Sequence, residues 1–195
     1  MKKKFYAVRN GRMIGIFETW DECKKQVDGY SGAEYKSFGT RDEAVAYMKN
    51  EVIEPSENSA IAYVDGSYLH SDKRFSFGAV IFEKGEEKHF KAAFSDFDLA
   101  TMRNVAGEIK GAEFVMRYCV EHNIPEITIY YDYEGIEKWC TGAWKTNKDG
   151  TKAYRETYLE CSKYVKISFC KVKGHSGNKY NDLVDSLAKA ALGIE

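Results

Sequence analysis

Ala60-Ile61-Ala62-Tyr63-Val64-Asp65-Gly66-Ser67 is the stretch on which the fold turns. Five apolar residues in succession are the pattern of a strand covered on both faces, because a half-exposed strand alternates. The run stops at Asp65 and Gly66. A carboxylate at the end of a buried strand is costly unless something compensates it, so Asp65 is either a turn or capping residue or a functional group.

Downstream, residues 75–82 and 88–94 read as two further strands joined by a turn around Gly85, which completes an antiparallel meander. Residues 101–122 switch to a helical period, with Val105, Ile109, Ala112, Met116 and Cys119 recurring every three or four positions. Pro125 closes that segment, and Ile127-Thr128-Ile129-Tyr130-Tyr131 forms a fourth strand running into Asp132. Residues 134–140 and 152–164 read as helices, 165–172 as a fifth strand, and 180–192 as a last helix with Val184, Leu187, Ala188 and Ala191 on one face. The order β-β-β-α-β-α-α-β-α predicts an α/β body with a mixed five-stranded sheet and flanking helices.

Upstream lies a smaller pattern. Residues 5–9, Ile14–Phe17 and Lys36–Phe38 read as strands. Thr19 with Glu22 marks one helix start near Trp20, and Thr40 with Glu43 marks another that continues through Ala44, Ala46 and Met48. This β-β-α-β-α unit predicts a small α+β domain over residues 1–48. A polar, Pro-containing linker over 49–59 then leads to the main body, 60–195.

Charge is balanced overall, with 29 Lys and Arg against 30 Asp and Glu, which excludes a globally basic nucleic-acid binder. Its distribution is uneven. Residues 1–50 hold 10 basic against 7 acidic side chains, so a mildly basic unit precedes an acidic body. No apolar stretch reaches membrane-spanning length, and no secretory h-region follows the N-terminal lysines. The five cysteines are scattered without a C-x-x-C pair, which argues against a zinc site and for free thiols in a reducing cytoplasm. A cytoplasmic monomer without membrane association is expected.

Three more carboxylates stand out against this map: Glu108 beside the apolar stripe of its helix, Asp132 at a strand end, and Asp185 next to core-facing Val184. Singly, Asp132 reads as a cap or turn residue, and Glu108 and Asp185 as solvated helix-edge residues. Gathered in one cleft, four carboxylates would repel one another and call for hard, oxygen-seeking cations such as Mg²⁺ or Mn²⁺. Two such ions match the charge and suit phosphodiester cleavage. Whether the four converge is left open by the sequence.

Val64-Asp65-Gly66-Ser67, Asn104-Val105-Ala106-Gly107-Glu108, Ile129-Tyr130-Tyr131-Asp132, Lys173-Gly174-His175-Ser176-Gly177-Asn178 and Asn181-Asp182-Leu183-Val184-Asp185 together resemble the type 1 ribonuclease H family, in order, spacing and element type, across about residues 60–192. The resemblance implies a ribonuclease H-like fold and endonucleolytic cleavage of the RNA strand of RNA–DNA hybrids by a two-metal-ion mechanism, leaving 5′-phosphate and 3′-hydroxyl ends. It implies Asp65, Glu108, Asp132 and Asp185 as ligands of two Mg²⁺ ions, with Mn²⁺ as substitute and Asp65 bridging both. His175 matches a loop histidine that assists proton transfer or product release, and an imidazole titrating near neutrality suits that task. Asp182, three residues before Asp185, reads as a contributor to the metal environment or, more in keeping with its place on the helix, as a solvated surface acid. Asn104 matches an asparagine near the substrate's minor groove, where an amide suits the sensing of 2′-hydroxyls, although a polar helix-start residue is an equal reading.

Two departures accompany the match. The segment after Asp132 is short where many relatives carry a basic protrusion. Within it Trp144 is a candidate contact, with Lys145 and Thr146 near a phosphate, while Trp139 and Trp144 also read as core aromatics. Tyr131 and Tyr133 flank the third aspartate where many relatives have Thr and Ser.

Phe5-Tyr6-Ala7-Val8-Arg9-Asn10-Gly11-Arg12, Thr19-Trp20-Asp21-Glu22-Cys23, Val27-Asp28-Gly29-Tyr30 and Tyr35-Lys36-Ser37-Phe38 resemble the hybrid-binding domain that precedes many ribonucleases H and recurs in a plant-virus inclusion protein. The resemblance implies Tyr6, Trp20, Tyr35 and Lys36 as nucleic-acid contacts. Ser37 stands where a second lysine is common, which predicts weaker binding or altered preference. Two other readings remain: a non-catalytic binder of RNA–DNA hybrid or double-stranded RNA, and a DNA-cutting nuclease of the same superfamily. The four carboxylates count against the first, and the Gly-His-Ser-Gly loop and N-terminal unit against the second.

Overall fold

The strand read as Ala60–Val64 is longer than its apolar run. The protein, seen in a computed structural model that describes residues 4–49, 55–56, 58–172, 174 and 178–194, carries it as β4 over Ser59–Leu69. The expected strand end at Val64 is therefore corrected, and Asp65 lies within the strand. Beyond Val64 the antiparallel ladder to β5 (Arg74–Glu83) continues, with Asp65 opposite Gly78 and Leu69 opposite Arg74. A hairpin partner supplies the backbone bonds, so the polar Asp-Gly-Ser sequence does not end the strand.

The chain divides into two compact units, Met1–Ile53 and Glu54–Glu195. In the larger, β4 and β5 join β6 (Glu86–Phe94), β7 (Glu126–Tyr131) and β8 (Lys166–Lys171) in the order β6-β5-β4-β7-β8. β4 runs parallel to β7 and β7 parallel to β8, so the sheet is mixed. α4 (Asn104–Glu121) and α7 (Lys179–Leu192) both pack on β4 and β5. The strand alternation explains the unbroken apolar run. Ala60, Ala62 and Val64 enter the core with Ile109, Ala112 and Met116 of α4, while Tyr63 turns the other way and meets Tyr180 of α7, ring centres 5.5 Å apart. α5 (Gly135–Thr141) and α6 (Asp149–Cys161) complete this layer, and buried Tyr154 of α6 donates its hydroxyl to the Ile136 carbonyl at 2.9 Å.

Helix boundaries differ from the sequence expectation at two starts. Asp96 caps a short helix, α3 (Phe97–Ala100), and α4 begins only at Asn104, after Arg103 at φ 54°. α6 begins at Asp149 and not at 152. Asn178 caps α7, its side chain accepting from the Tyr180 and Asn181 amides at 3.1 Å.

The smaller unit is a three-stranded antiparallel sheet in the order β2-β1-β3, from β1 (Phe5–Asn10), β2 (Gly15–Phe17) and β3 (Glu34–Phe38), with α1 (Trp20–Val27) and α2 (Arg41–Lys49). Both expected helix starts are capped. Thr19 accepts from the Glu22 amide while Glu22 accepts from Thr19, and Thr40 with Glu43 repeats the exchange. Val8 packs with Cys23 and Val27 of α1, whereas Arg9 reaches the Tyr47 carbonyl of α2. Most of the expected linker, residues 50–54 and 57, lies outside the described residues, and its last residue, Ser59, already belongs to β4. Among the described residues, no helix is long and apolar enough to cross a membrane. All five cysteines are free thiols.

Candidate functional site

Two parallel strands part company at the site. Pairing of β4 with β7 ends at Tyr63 and Tyr130, whose rings stack 4.6 Å apart. Asp65 and Asp132 each follow two residues later, so both carboxylates emerge where the strands diverge. The end of parallel strand pairing is a common place for a cleft.

Glu108 reaches this fork because α4 lies unusually close to the sheet. A Cβ added to Gly66 would sit 2.3 Å from the Asn104 carbonyl oxygen and 2.4 Å from the Glu108 amide nitrogen. One added to Gly107 would sit 1.9 Å from the Ser76 carbonyl oxygen. Only hydrogen fits between the layers here, and each glycine is the chain neighbour of a candidate ligand. α7 is brought in by a third glycine. Gly78 faces the backbone of Val184 and Ala188, with an added Cβ 2.1 Å from the Val184 carbonyl oxygen. Ser76 donates its buried hydroxyl to the Ala188 carbonyl at 2.6 Å, which fixes the same turn.

Oxygen atoms of Asp65, Glu108 and Asp132 all lie within 4.8 Å of one another. Asp65 is 9% exposed and Glu108 only 3%. Burial, then the nearby Asp132 and Asp185 charges, push the Asp65 carboxyl up to about 7 against the opposing bond from the Gly66 amide. Glu108 is also raised, first by burial and then by Asp65 and Asp132. Two buried carboxylates and a half-buried third, close enough to repel one another, are chemically matched to a hard divalent cation. Asp185 stands apart from this trio. Its charge reaches Asp65, but its Oδ2 accepts from the Lys189 ammonium at 2.7 Å. Gly174 abuts the trio, where an added Cβ would lie 2.6 Å from Asp132 Oδ2. His175 lies outside the described residues.

The remaining expected contacts separate into groups. Asn104 is exposed one turn before Glu108, its amide 3.5 Å from Glu108 Oε1. Asn104 and Lys145 line one cleft together with Arg103, Lys148 and Trp139. Sequence reasoning passed over Arg103 and Lys148, although two more cations close to Asn104 and Lys145 were a usable signal. Thr146 is half-buried and does not line that cleft. Trp144 is half-buried against the core, its ring 5.9 Å from Trp139 and 6.2 Å from Tyr133, with the Lys138 ammonium 5.0 Å above it. Lys138 and Lys171 are both held by Glu134.

In the smaller unit, Trp20 lies 5.7 Å from Tyr6 and 5.7 Å from Tyr35, forming an outward aromatic strip. Trp20 and Tyr35 are 41% and 44% exposed. Register puts Tyr35 opposite Val8, on the α1 side, and Lys36 opposite Ala7, on the other. The Lys36 ammonium lies 5.8 Å from the Phe38 ring. The four expected contacts thus occupy two faces of one sheet.

Comparison with known proteins agrees with this architecture. A family model described as RNase H matches residues 57–193, and one described as Ribonuclease H1 N-terminal domain matches residues 4–48. The Ribonuclease H of Pseudoalteromonas translucida is 31% identical over 146 residues, covering 70% of this chain and 92% of that protein. The Ribonuclease H of Saccharomyces cerevisiae is 32% identical over 123 residues, 63% of this chain but only 32% of the longer yeast protein. LC11-RNase H1, solved in complex with an RNA/DNA hybrid, superposes with a TM-score of 0.54 at 17% identity over 68% of this chain and 99% of its own, which shows the same fold. With the RNase H model spanning the whole sheet, both packed helices and all four candidate carboxylates, the chain belongs to the ribonuclease H family.

Proposed function

We propose that the protein is a ribonuclease H that cleaves the RNA strand of RNA–DNA hybrids internally, with two divalent cations, Mg²⁺ or Mn²⁺, leaving 5′-phosphate and 3′-hydroxyl ends. The observation that carries this reading is the meeting of Asp65, Glu108 and Asp132 at the fork of β4 and β7. When bound, paired cations of this kind activate the attacking water and neutralise charge on the leaving oxygen.

The chain's own groups supply the rest. Asp65, Glu108 and Asp132 offer the cation ligands, and Asp185 a fourth carboxylate beside Asp65. His175 assists proton transfer or product release. Asn104, exposed at the start of α4, offers donor and acceptor to 2′-hydroxyls. Arg103, Lys145 and Lys148 around one cleft offer charge to phosphates, with Trp144 and Thr146 on the same segment. The Tyr6–Trp20–Tyr35 strip packs on sugars or bases and Lys36 adds charge, which keeps an acidic catalytic unit on a polyanion. The solved LC11 complex supports a hybrid as the ligand of such a fold.

The test uses labelled RNA–DNA hybrid, double-stranded RNA and double-stranded DNA, each with and without Mg²⁺, and an Asp132→Asn variant. Cleavage confined to the RNA of the hybrid, dependent on Mg²⁺ and lost in the variant, is expected. Tight hybrid binding without cleavage by the unaltered protein would select the non-catalytic alternative.

A further inference from the structure

We propose that Lys189 is a positioning residue that weakens the hold of the carboxylate site on divalent cations by competing with them for Asp185. This rests on the reading of Asp65, Glu108, Asp132 and Asp185 as cation ligands.

Lys189 follows Asp185 by one helical turn, and its ammonium lies 2.7 Å from Asp185 Oδ2. On most helices such a pair is a solvated surface contact with little consequence. Here the acid is 22% exposed and its charge reaches Asp65. The Lys189 charge is felt at Asp65, where it opposes the repulsion from Asp132 and Asp185. One ammonium thus serves two members of the carboxylate group.

The helix holding it has little room to shift. Val184 and Ala188 of α7 press on Gly78 of β5, and the Ala188 carbonyl accepts from Ser76. Lys189 is the chain neighbour of Ala188, so its backbone is anchored beside the site. A cation there has two effects on a divalent ion approaching Asp65. It occupies one of the two Asp185 oxygens, and it repels the incoming charge across a few ångströms. Such a group keeps the carboxylates together without holding an ion so firmly that exchange during turnover is slowed.

The experiment measures Mn²⁺ binding to the full chain by the loss of free-ion electron spin resonance signal, with calorimetry as a second readout. The proteins are the unaltered chain, Lys189→Met, Lys189→Arg, Asp185→Asn and the Lys189→Met/Asp185→Asn double variant, each checked for folding by circular dichroism. Removing a full charge at this range is expected to tighten the Mn²⁺ dissociation constant by roughly tenfold in Lys189→Met. Lys189→Arg, which keeps the charge, should stay close to the unaltered chain. In the Asp185→Asn background, Lys189→Met should have a much smaller effect, because the shared carboxylate is gone. Lys189→Met binding Mn²⁺ no more tightly than the unaltered chain overturns the inference and leaves the site reading intact. An unaltered chain that binds no Mn²⁺ at all overturns the site reading itself, and the inference with it.

Discussion

Gly107 rests on Gly66: a Cβ added to Gly107 would come within 3.0 Å of the Gly66 Cα and 1.9 Å of the Ser76 carbonyl oxygen. That backbone-to-backbone contact sets the separation of Asp65 and Glu108, the chain neighbours of the two glycines. Gly107→Ala must push α4 off the sheet, because the obstruction is backbone and cannot rotate away. It should cost about 3 kcal/mol of stability, the upper end for an overpacked core, and lower hybrid cleavage more than the stability loss explains. Gly111→Ala is the control. There an added Cβ meets Phe77 Cβ at 3.2 Å and Val64 Cβ at 3.4 Å, a tightness that small shifts can relieve. Urea denaturation and cleavage assays on both variants check the ordering.

Glu108 is the most deeply buried of the clustered acids, and its ionised form is opposed by burial and by two like charges. Glu108→Gln should therefore abolish cleavage while making the chelator-treated protein more stable at pH 8, as read by urea denaturation. A loss of stability in that variant would mean that the cluster is not under electrostatic strain.

Asp65 gives the pH dependence a sign. Its folded-state carboxyl titrates at about 7, above the ordinary aspartate value of 3.8. Between those two values the folded chain holds a proton that the unfolded chain has released, so stability falls as pH rises through the window and levels off above it. Glu108 adds to the same trend. Cation binding needs the deprotonated carboxylates, so it tightens as pH rises through neutrality. Melting temperatures with chelator should decline from about pH 5 to pH 8, and the gain on adding Mg²⁺ should grow over the same range. A chelator-treated melting temperature flat across that range contradicts this account.

The aromatic strip of the smaller unit predicts an asymmetric mutational pattern. Trp20 stands between Tyr6 and Tyr35, so Trp20→Ala breaks the whole strip and should weaken hybrid binding by about tenfold. Lys36 lies on the opposite face by register, and Lys36→Ala should cost only a few-fold, mainly at low salt. Binding isotherms at two salt concentrations, with the full chain, separate the two effects. Equal losses from both substitutions would place the nucleic acid at the sheet edge and not on the aromatic face.

Much of this architecture was legible because its signals are local. Hydrophobic period gave the long helices and the central strand, and Thr19–Glu22 and Thr40–Glu43 gave two helix starts that are capped as read. Sequence reasoning failed where a partner decides the outcome. Asp65-Gly66-Ser67 has turn chemistry, yet the ladder to Gly78, Phe77 and Ser76 keeps it extended. The Lys189 ammonium on one Asp185 oxygen was likewise not legible, because a side-chain pair one turn apart leaves no trace in a periodic pattern. The packing roles of Gly66, Gly78 and Gly107 were also missed. Glycines inside apolar segments, beside or across from acidic residues, were the available clue. The face of Lys36 depends on the register of β1 and β3, which short strands do not announce.

Ser76 contributes no candidate ligand, but its carbonyl limits how near α4 approaches and its hydroxyl tethers α7. Both helices that carry acidic side chains to the fork are therefore gauged against one residue of β5. A relative wishing to widen or narrow this pocket need not touch the acids: sliding this strand by a fraction of an ångström would move the two jaws together, as a shim does in a vice.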